Sequence, residues 1–154
     1  MTTPTTTLAR TLLAVARDKG LHIATAESCT GGMISAAITD IAGSSDVFDR
    51  GFVTYSNAAK TELLDVNPDT IARHGAVSEE TAAKMVAGAL ARSAADLAVA
   101  VTGVAGPGAS GLKPEGRVCF GVMARGGAIE TETVDFGALG RAGVRQATVA
   151  HALG

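Results

Sequence analysis

Leu97-Ala98-Val99-Ala100-Val101 is the stretch that decides the fold. A strand with one wet face alternates apolar and polar residues, but this one is apolar on both faces. It therefore belongs in the middle of a sheet with helices on each side. Glycines and Pro107 break the chain after it, from Gly103 to Gly116. Val118 to Ala124 reads as a second buried strand, and Gly126-Gly127 suits a hairpin turn. Ile129 to Phe136 alternates Glu130 and Glu132 with less polar residues, as an edge strand does. Arg141 to Leu153 reads as a closing helix.

Upstream of the central strand, helices and strands alternate. Thr5 to Lys19 places Leu8, Leu12, Val15 and Ala16 on one helical face, and Gly20 stops it. Leu21 to Thr25 reads as a short strand, followed by a small-residue helix from about Gly31 to Ile41. Gly51 to Tyr55 reads as the next strand, with Ser56 or Asn57 capping a helix that carries Leu63 and Leu64. Asn67-Pro68-Asp69 has the N-cap and N1-proline order of a further short helix. Ser78-Glu79-Glu80 opens what reads as the longest helix, running to about Ala95, with acidic residues matched to its dipole. The expected fold class is α/β, a single-domain α/β/α sandwich around a mixed sheet over residues 1–154.

Composition narrows the function classes. The 154 residues are 47% hydrophobic and 18% charged, which fits one globular domain and excludes a disordered chain. A net charge of −2 argues against a general nucleic-acid binder, which shows a basic face. With no Trp and one Tyr, base-stacking platforms are not expected. No apolar run approaches the ~20 residues that span a bilayer, so no membrane partner is expected. Met1-Thr2-Thr3-Pro4 lacks the basic start of a signal peptide, and the expected location is cytoplasmic. Cys29 and Cys119 are too few for a disulfide framework, and no Cys/His cluster has zinc spacing, so neither a metal nor a cofactor is expected. Alanine (30) and glycine (19) make up close to a third of the chain, which lets helices lie close on a sheet and backbone approach a ligand.

Three stretches can carry chemistry. Ala26-Glu27-Ser28-Cys29-Thr30-Gly31-Gly32 lies between a strand and a helix, where free N–H groups can hold an oxyanion and where Ser28 and Cys29 are adjacent nucleophiles. The plain alternative is that Ser28 or Thr30 caps the helix and the two glycines allow close packing; Glu27 can orient a partner or simply cap locally. Lys60 falls in the first turn of a helix, where its charge opposes the dipole. A lysine held neutral there can act as a base; a solvated surface lysine is the alternative. Thr102-Gly103-Val104-Ala105-Gly106-Pro107-Gly108 is neither a dinucleotide fingerprint nor a Walker A loop. Its glycine N–H groups can form a phosphate nest, with a tight turn as the alternative. No Gly-x-Ser-x-Gly elbow occurs, so a Ser-His-Asp triad is not expected, and Arg141 and Arg145 share one helical face.

Taken together with Gly51-Phe52-Val53-Thr54-Tyr55-Ser56-Asn57 and Gly75-Ala76-Val77-Ser78, these blocks resemble the CinA C-terminal domain family. The resemblance covers about Leu8 to Leu153, in the family's order, and is to the stand-alone form without the second, N-terminal domain of longer members. It implies a nicotinamide-nucleotide amidase, hydrolysing nicotinamide mononucleotide to nicotinate mononucleotide and ammonia. It also implies Ser28 as nucleophile, Lys60 and Tyr55 as the proton-handling pair, Ser45 nearby, and a homodimer. Binding roles follow for Cys29, Thr30, Gly31, Gly32, Thr102, Gly103, Gly106, Gly108 and Arg145. One departure is Gly140 before Arg141, where the family pattern has an acidic residue. Two other expectations stand beside the serine amidase: a nucleotide-binding module without turnover, and a thiol hydrolase using Cys29.

Overall fold

A computed structural model describes residues 3–154; Met1 and Thr2, read above for a leader, lie outside the described residues. Its strands are β1 (Ile23–Glu27), β2 (Phe48–Val53), β3 (Leu97–Gly103), β4 (Arg117–Ala124) and β5 (Ile129–Asp135). The helices are α1 (Pro4–Lys19), α2 (Met33–Thr39), α3 (Asn57–Leu64), α4 (Pro68–His74), α5 (Glu79–Ala91) and α6 (Gly140–Leu153), with a 3-10 turn at Ser44–Asp46. The strands form one mixed sheet in the order β2-β1-β3-β4-β5, with β1, β2 and β3 parallel and β4 and β5 antiparallel to their neighbours. The segment read first is thus the central strand, and the α/β sandwich around a mixed sheet is the observed architecture.

Two apolar layers cover the sheet. One face packs Leu13, Ile34, Ile38, Val144 and Leu153 of α1, α2 and α6 against Ile23, Val101, Val118 and Phe120. The other packs Met85, Val86 and Leu90 of α5, with Leu64 of α3, against Ala24, Ala26, Ala98 and Ala100. The alanines of β1 and β3 are what let α5 lie close. Gly88 goes further, since a Cβ there would sit 2.1 Å from the Leu64 carbonyl oxygen. The expected caps are observed: Ser56, Asn67 and Ser78 accept from the N–H groups of Ala59, Asp69 and Thr81.

Several boundaries differ from the expectation, among them those of β1, β2 and α5. β1 runs two residues later, to Glu27, because that carboxylate is turned into the protein rather than toward solvent. β2 begins earlier, at Phe48, and ends before Tyr55. Its first half, Phe48-Asp49-Arg50, has a single apolar residue followed by two charged ones on an edge, too little for an apolar pattern. α5 ends at Ala91, and at 13 residues it is shorter than α1 (16) and α6 (14). Arg92 and Ser93 turn the chain there, with the Arg92 carbonyl accepting from Arg50 of β2.

Candidate active site

Parallel pairing of β1 with β2 sets Glu27 beside Val53, so Ser28 and the segment Thr54-Tyr55 leave the sheet side by side. The chain then enters α3, whose second turn sends Lys60 back beneath them. Lys60 is 1% exposed. Its Nζ lies 3.0 Å from Ser28 Oγ, 3.0 Å from the Thr54 carbonyl oxygen and 3.2 Å from the Tyr55 carbonyl oxygen. The expectation of a solvated lysine is overturned by this burial.

The three partners matter chemically. Carbonyls only accept, so they take two N–H groups of Lys60. Desolvation lowers the Lys60 pKa from its ordinary 10.5. Nζ donates to Ser28 Oγ as well as to the two carbonyls, and Ser28 Oγ faces the Tyr55 carbonyl at 3.5 Å; a neutral amine that kept both carbonyls would turn its lone pair to Oγ. That is the arrangement in which a lysine takes a serine proton. Cys29, the neighbouring candidate nucleophile, is buried, and burial pushes its thiol up to about 11.

Glu27 is fully buried and uses both carboxylate oxygens. Oε1 accepts from Thr30 Oγ1 (2.6 Å) and the Ile34 N–H (2.8 Å). Oε2 accepts from the Ser35 N–H (3.0 Å) and Ser35 Oγ (2.8 Å). Since the Ser35 proton goes to Glu27, Thr25 donates to Ser35 Oγ across 2.8 Å. The amino end of α2 is thus closed by an internal carboxylate rather than open to an anion from outside. Local capping is the reading of Glu27 that the structure bears out.

The loop itself keeps some donors free. The Gly31 N–H donates to the Ser28 carbonyl and the Met33 N–H to the Thr30 carbonyl. The N–H groups of Cys29, Thr30 and Gly32 donate to no other described residue. From α6, Arg145 reaches the carbonyls of Cys29 (3.1 Å) and Thr30 (3.2 Å), so its guanidinium holds the loop.

The other expected residues fall in different places. The Tyr55 phenol is not between Ser28 and Lys60; it accepts from Arg141 at 2.7 Å, and the residue is 57% exposed. It is the Tyr55 carbonyl that meets the lysine. Thr102 is buried and donates to the Ala76 carbonyl at 2.8 Å. Gly103 is paired with Val118 in the sheet. Gly106 gives its carbonyl to Arg141, while the Gly108 N–H is taken by Glu115, which also accepts from the Gly140 N–H. Part of the expected phosphate nest is therefore closed by Glu115. Ser45 does not join the group. It lies in the 3-10 turn before β2, beside the start of β1, whereas Ser28 follows the end of that five-residue strand, roughly 15 Å away.

Sequence reasoning missed Thr54, whose carbonyl shares the lysine and whose hydroxyl is buried without a partner. No periodicity announces a carbonyl turned inward at a strand end. All three histidines pair with carboxylates elsewhere: His22 with Asp96, His74 with Glu80, His151 with Glu132. Among the described residues no group of three or more His, Cys, Asp or Glu could hold a metal ion. No described helix is long and apolar enough to cross a membrane.

The family described as CinA C-terminal domain matches residues 5–154. The chain belongs to that family. Among relatives of this CinA domain is the nicotinamide-nucleotide amidohydrolase PncC of Enterobacter agglomerans, 53% identical over 80% of this chain and 76% of that protein. A CinA-like protein of Chloroherpeton thalassium is 56% identical over 69% of the chain but only 26% of the relative's length. The chain thus spans about a quarter of such longer CinA-like relatives. A crystal structure of the competence/damage inducible protein CihA from Agrobacterium tumefaciens superposes with a TM-score of 0.95 at 49% identity, covering 98% of this chain and 92% of that one. The competence damage-inducible protein A (ComA) from Klebsiella pneumoniae gives 0.93 at 38% identity, with 97% and 92% covered.

Proposed function

We propose that this chain is an amidohydrolase that converts nicotinamide mononucleotide to nicotinate mononucleotide and ammonia, with Ser28 as nucleophile and Lys60 as its base. The observation that carries the reading is the buried Lys60 Nζ, 3.0 Å from Ser28 Oγ and otherwise facing only carbonyls. The similarity to a relative named for this activity supports the substrate.

Ser28 Oγ attacks the carboxamide carbon as its proton passes directly to Lys60. The oxyanion that forms is held by the free N–H groups of Cys29, Thr30 and Gly32. Lys60 returns the proton to the amide nitrogen, the C–N bond breaks and ammonia leaves. Water then attacks the acyl-serine, giving its proton to Lys60, and Ser28 recovers its hydroxyl. Tyr55 contributes its carbonyl to the lysine, while its phenol accepts from Arg141, the cation offered to the phosphate. Arg145 shapes the loop through its carbonyls, and Thr102 ties the end of β3 to Ala76. No metal ion enters any step.

Both rival readings have less support. A thiol held up to about 11 is a weak nucleophile at neutral pH, and Lys60 does not touch it. A module without turnover has no use for a buried lysine against a serine. The reading carries one catalytic domain over the whole chain, a homodimer and a cytoplasmic location. Its test is ammonia release from nicotinamide mononucleotide by the purified protein. Binding of the mononucleotide with no ammonia released sinks the amidase and leaves the binding module.

A further inference from the structure

Glu27 has no part in the proton transfers above, yet it is a fully buried carboxylate adjacent to the proposed nucleophile. Its backbone is fixed from both sides: its carbonyl accepts the Thr54 N–H, and the next N–H, of Ser28, donates to the Val101 carbonyl. Its side chain reaches forward, over the turn, to Thr30, Ile34 and Ser35. The turn from Ser28 to Gly32 is therefore tied at two levels, by the Gly31 N–H on the Ser28 carbonyl and by the Thr30 hydroxyl on Glu27. The N–H groups left free, at Cys29, Thr30 and Gly32, lie within or beside those ties. Space for the network is built into β2: a Cβ on Gly51 would lie 2.5 Å from Ser35 Oγ and 2.7 Å from Thr25 Oγ1.

We infer that Glu27 is a positioning residue of the reaction, whose carboxylate, through Thr30 and the first turn of α2, aims Ser28 Oγ and the free loop N–H groups at the reacting carbonyl. The inference rests on Ser28 being the nucleophile. Donors aimed at an oxyanion act in the transition state more than in the ground state, so loosening them lowers kcat and leaves KM nearly unchanged. A residue that merely holds the fold would lower the amount of folded protein and leave kcat per folded molecule alone.

The variant Glu27→Gln separates these. Its amide oxygen can still accept from Thr30 and Ile34, but its NH2 faces the Ser35 N–H, donor against donor. The folded variant is expected to lose about 10²-fold in kcat with KM within about threefold of the parent. A second readout needs no knowledge of the substrate. A fluorophosphonate probe forms an Oγ–P bond at Ser28 as fluoride leaves, with the serine proton going to Lys60, and intact mass follows the labelling. Labelling of Glu27→Gln is expected to be at least about tenfold slower at equal folded fraction. Unchanged kcat and labelling in the folded variant overturn the proposal, as does a failure of the parent to label at Ser28. If Glu27→Gln does not fold, Thr30→Val, which removes only the Thr30 tie at nearly constant volume, decides by the same kcat and labelling criteria. Normal labelling of the parent without ammonia release sinks the substrate reading, and the labelling comparison still decides Glu27.

Discussion

At the scale of single residues, the site turns on which of two adjacent side chains reacts. Ser28 touches the buried amine of Lys60, and Cys29 carries a thiol that burial keeps protonated. Ser28→Ala is expected to abolish nearly all ammonia release while the mononucleotide still binds, and Cys29→Ala to keep substantial activity. A live serine variant beside a dead cysteine variant would reverse the assignment. Lys60 makes a second prediction. Its pKa is lowered by desolvation, so turnover rises with pH through that lowered value and levels off once the amine is neutral. Lys60→Arg keeps a cation that cannot lose its proton, and is expected to lose about 10²–10⁴-fold in kcat. Near-normal turnover in a folded Lys60→Arg protein would leave Lys60 only a positioning charge. The sequence made Ser28 and Lys60 visible through residue type and placement. Their contact was not visible, because it depends on the pairing of β1 with β2, and the same is true of the Tyr55 and Thr54 carbonyls.

At the scale of elements, legibility followed the strength of the apolar pattern. β3 was readable as far as Val101 because a strand covered on both faces has an unbroken apolar run there, while Thr102 and Gly103 looked like loop; β5 was readable because an edge strand shows its charges. β1 was read two residues early because a buried glutamate looks like a loop residue until its four donors are known. Small residues were legible as a composition, but not as particular contacts. Gly88 shows the difference. Ala in a helix interior gains up to ~1 kcal/mol over Gly in propensity. A Cβ at 2.1 Å from the Leu64 carbonyl oxygen forces the α3 and α5 backbones apart, and overpacking of this kind costs roughly 1–3 kcal/mol. Gly88→Ala is therefore expected to lower the melting temperature despite the better helix former, by about 2–4 °C for each kcal/mol of net loss. A raised melting temperature would mean that α5 can slide on the sheet without penalty.

For the whole molecule, the buried lysine and thiol make stability depend on pH in opposite senses. The folded Lys60 pKa lies below its ordinary 10.5, so between those two values the unfolded chain binds more protons than the folded one. Stability therefore rises with pH across that window, and is lowest with respect to this group below the folded value, where the buried amine must be charged. Cys29 acts the other way. Its pKa rises from an ordinary 9.0 to about 11, so between those values the folded chain keeps a proton the unfolded chain releases, and stability falls as pH rises. The raised Cys119 adds to this fall. Urea unfolding midpoints of the parent are expected to climb with pH from the folded Lys60 value up to 10.5, set against a downturn from Cys29 that begins above pH 9. Lys60→Met removes the titrating amine, so its midpoints lose the climb and keep the downturn, while Cys29→Ala weakens the downturn and keeps the climb. The slopes are the informative quantity, because Lys60→Met also strips two carbonyls of a donor and shifts the whole curve by an amount unrelated to titration. A parent and a Lys60→Met variant with parallel midpoints from neutral pH all the way to 10.5 would mean that the lysine is not depressed in the folded protein, and the base proposed for Ser28 would be lost with it.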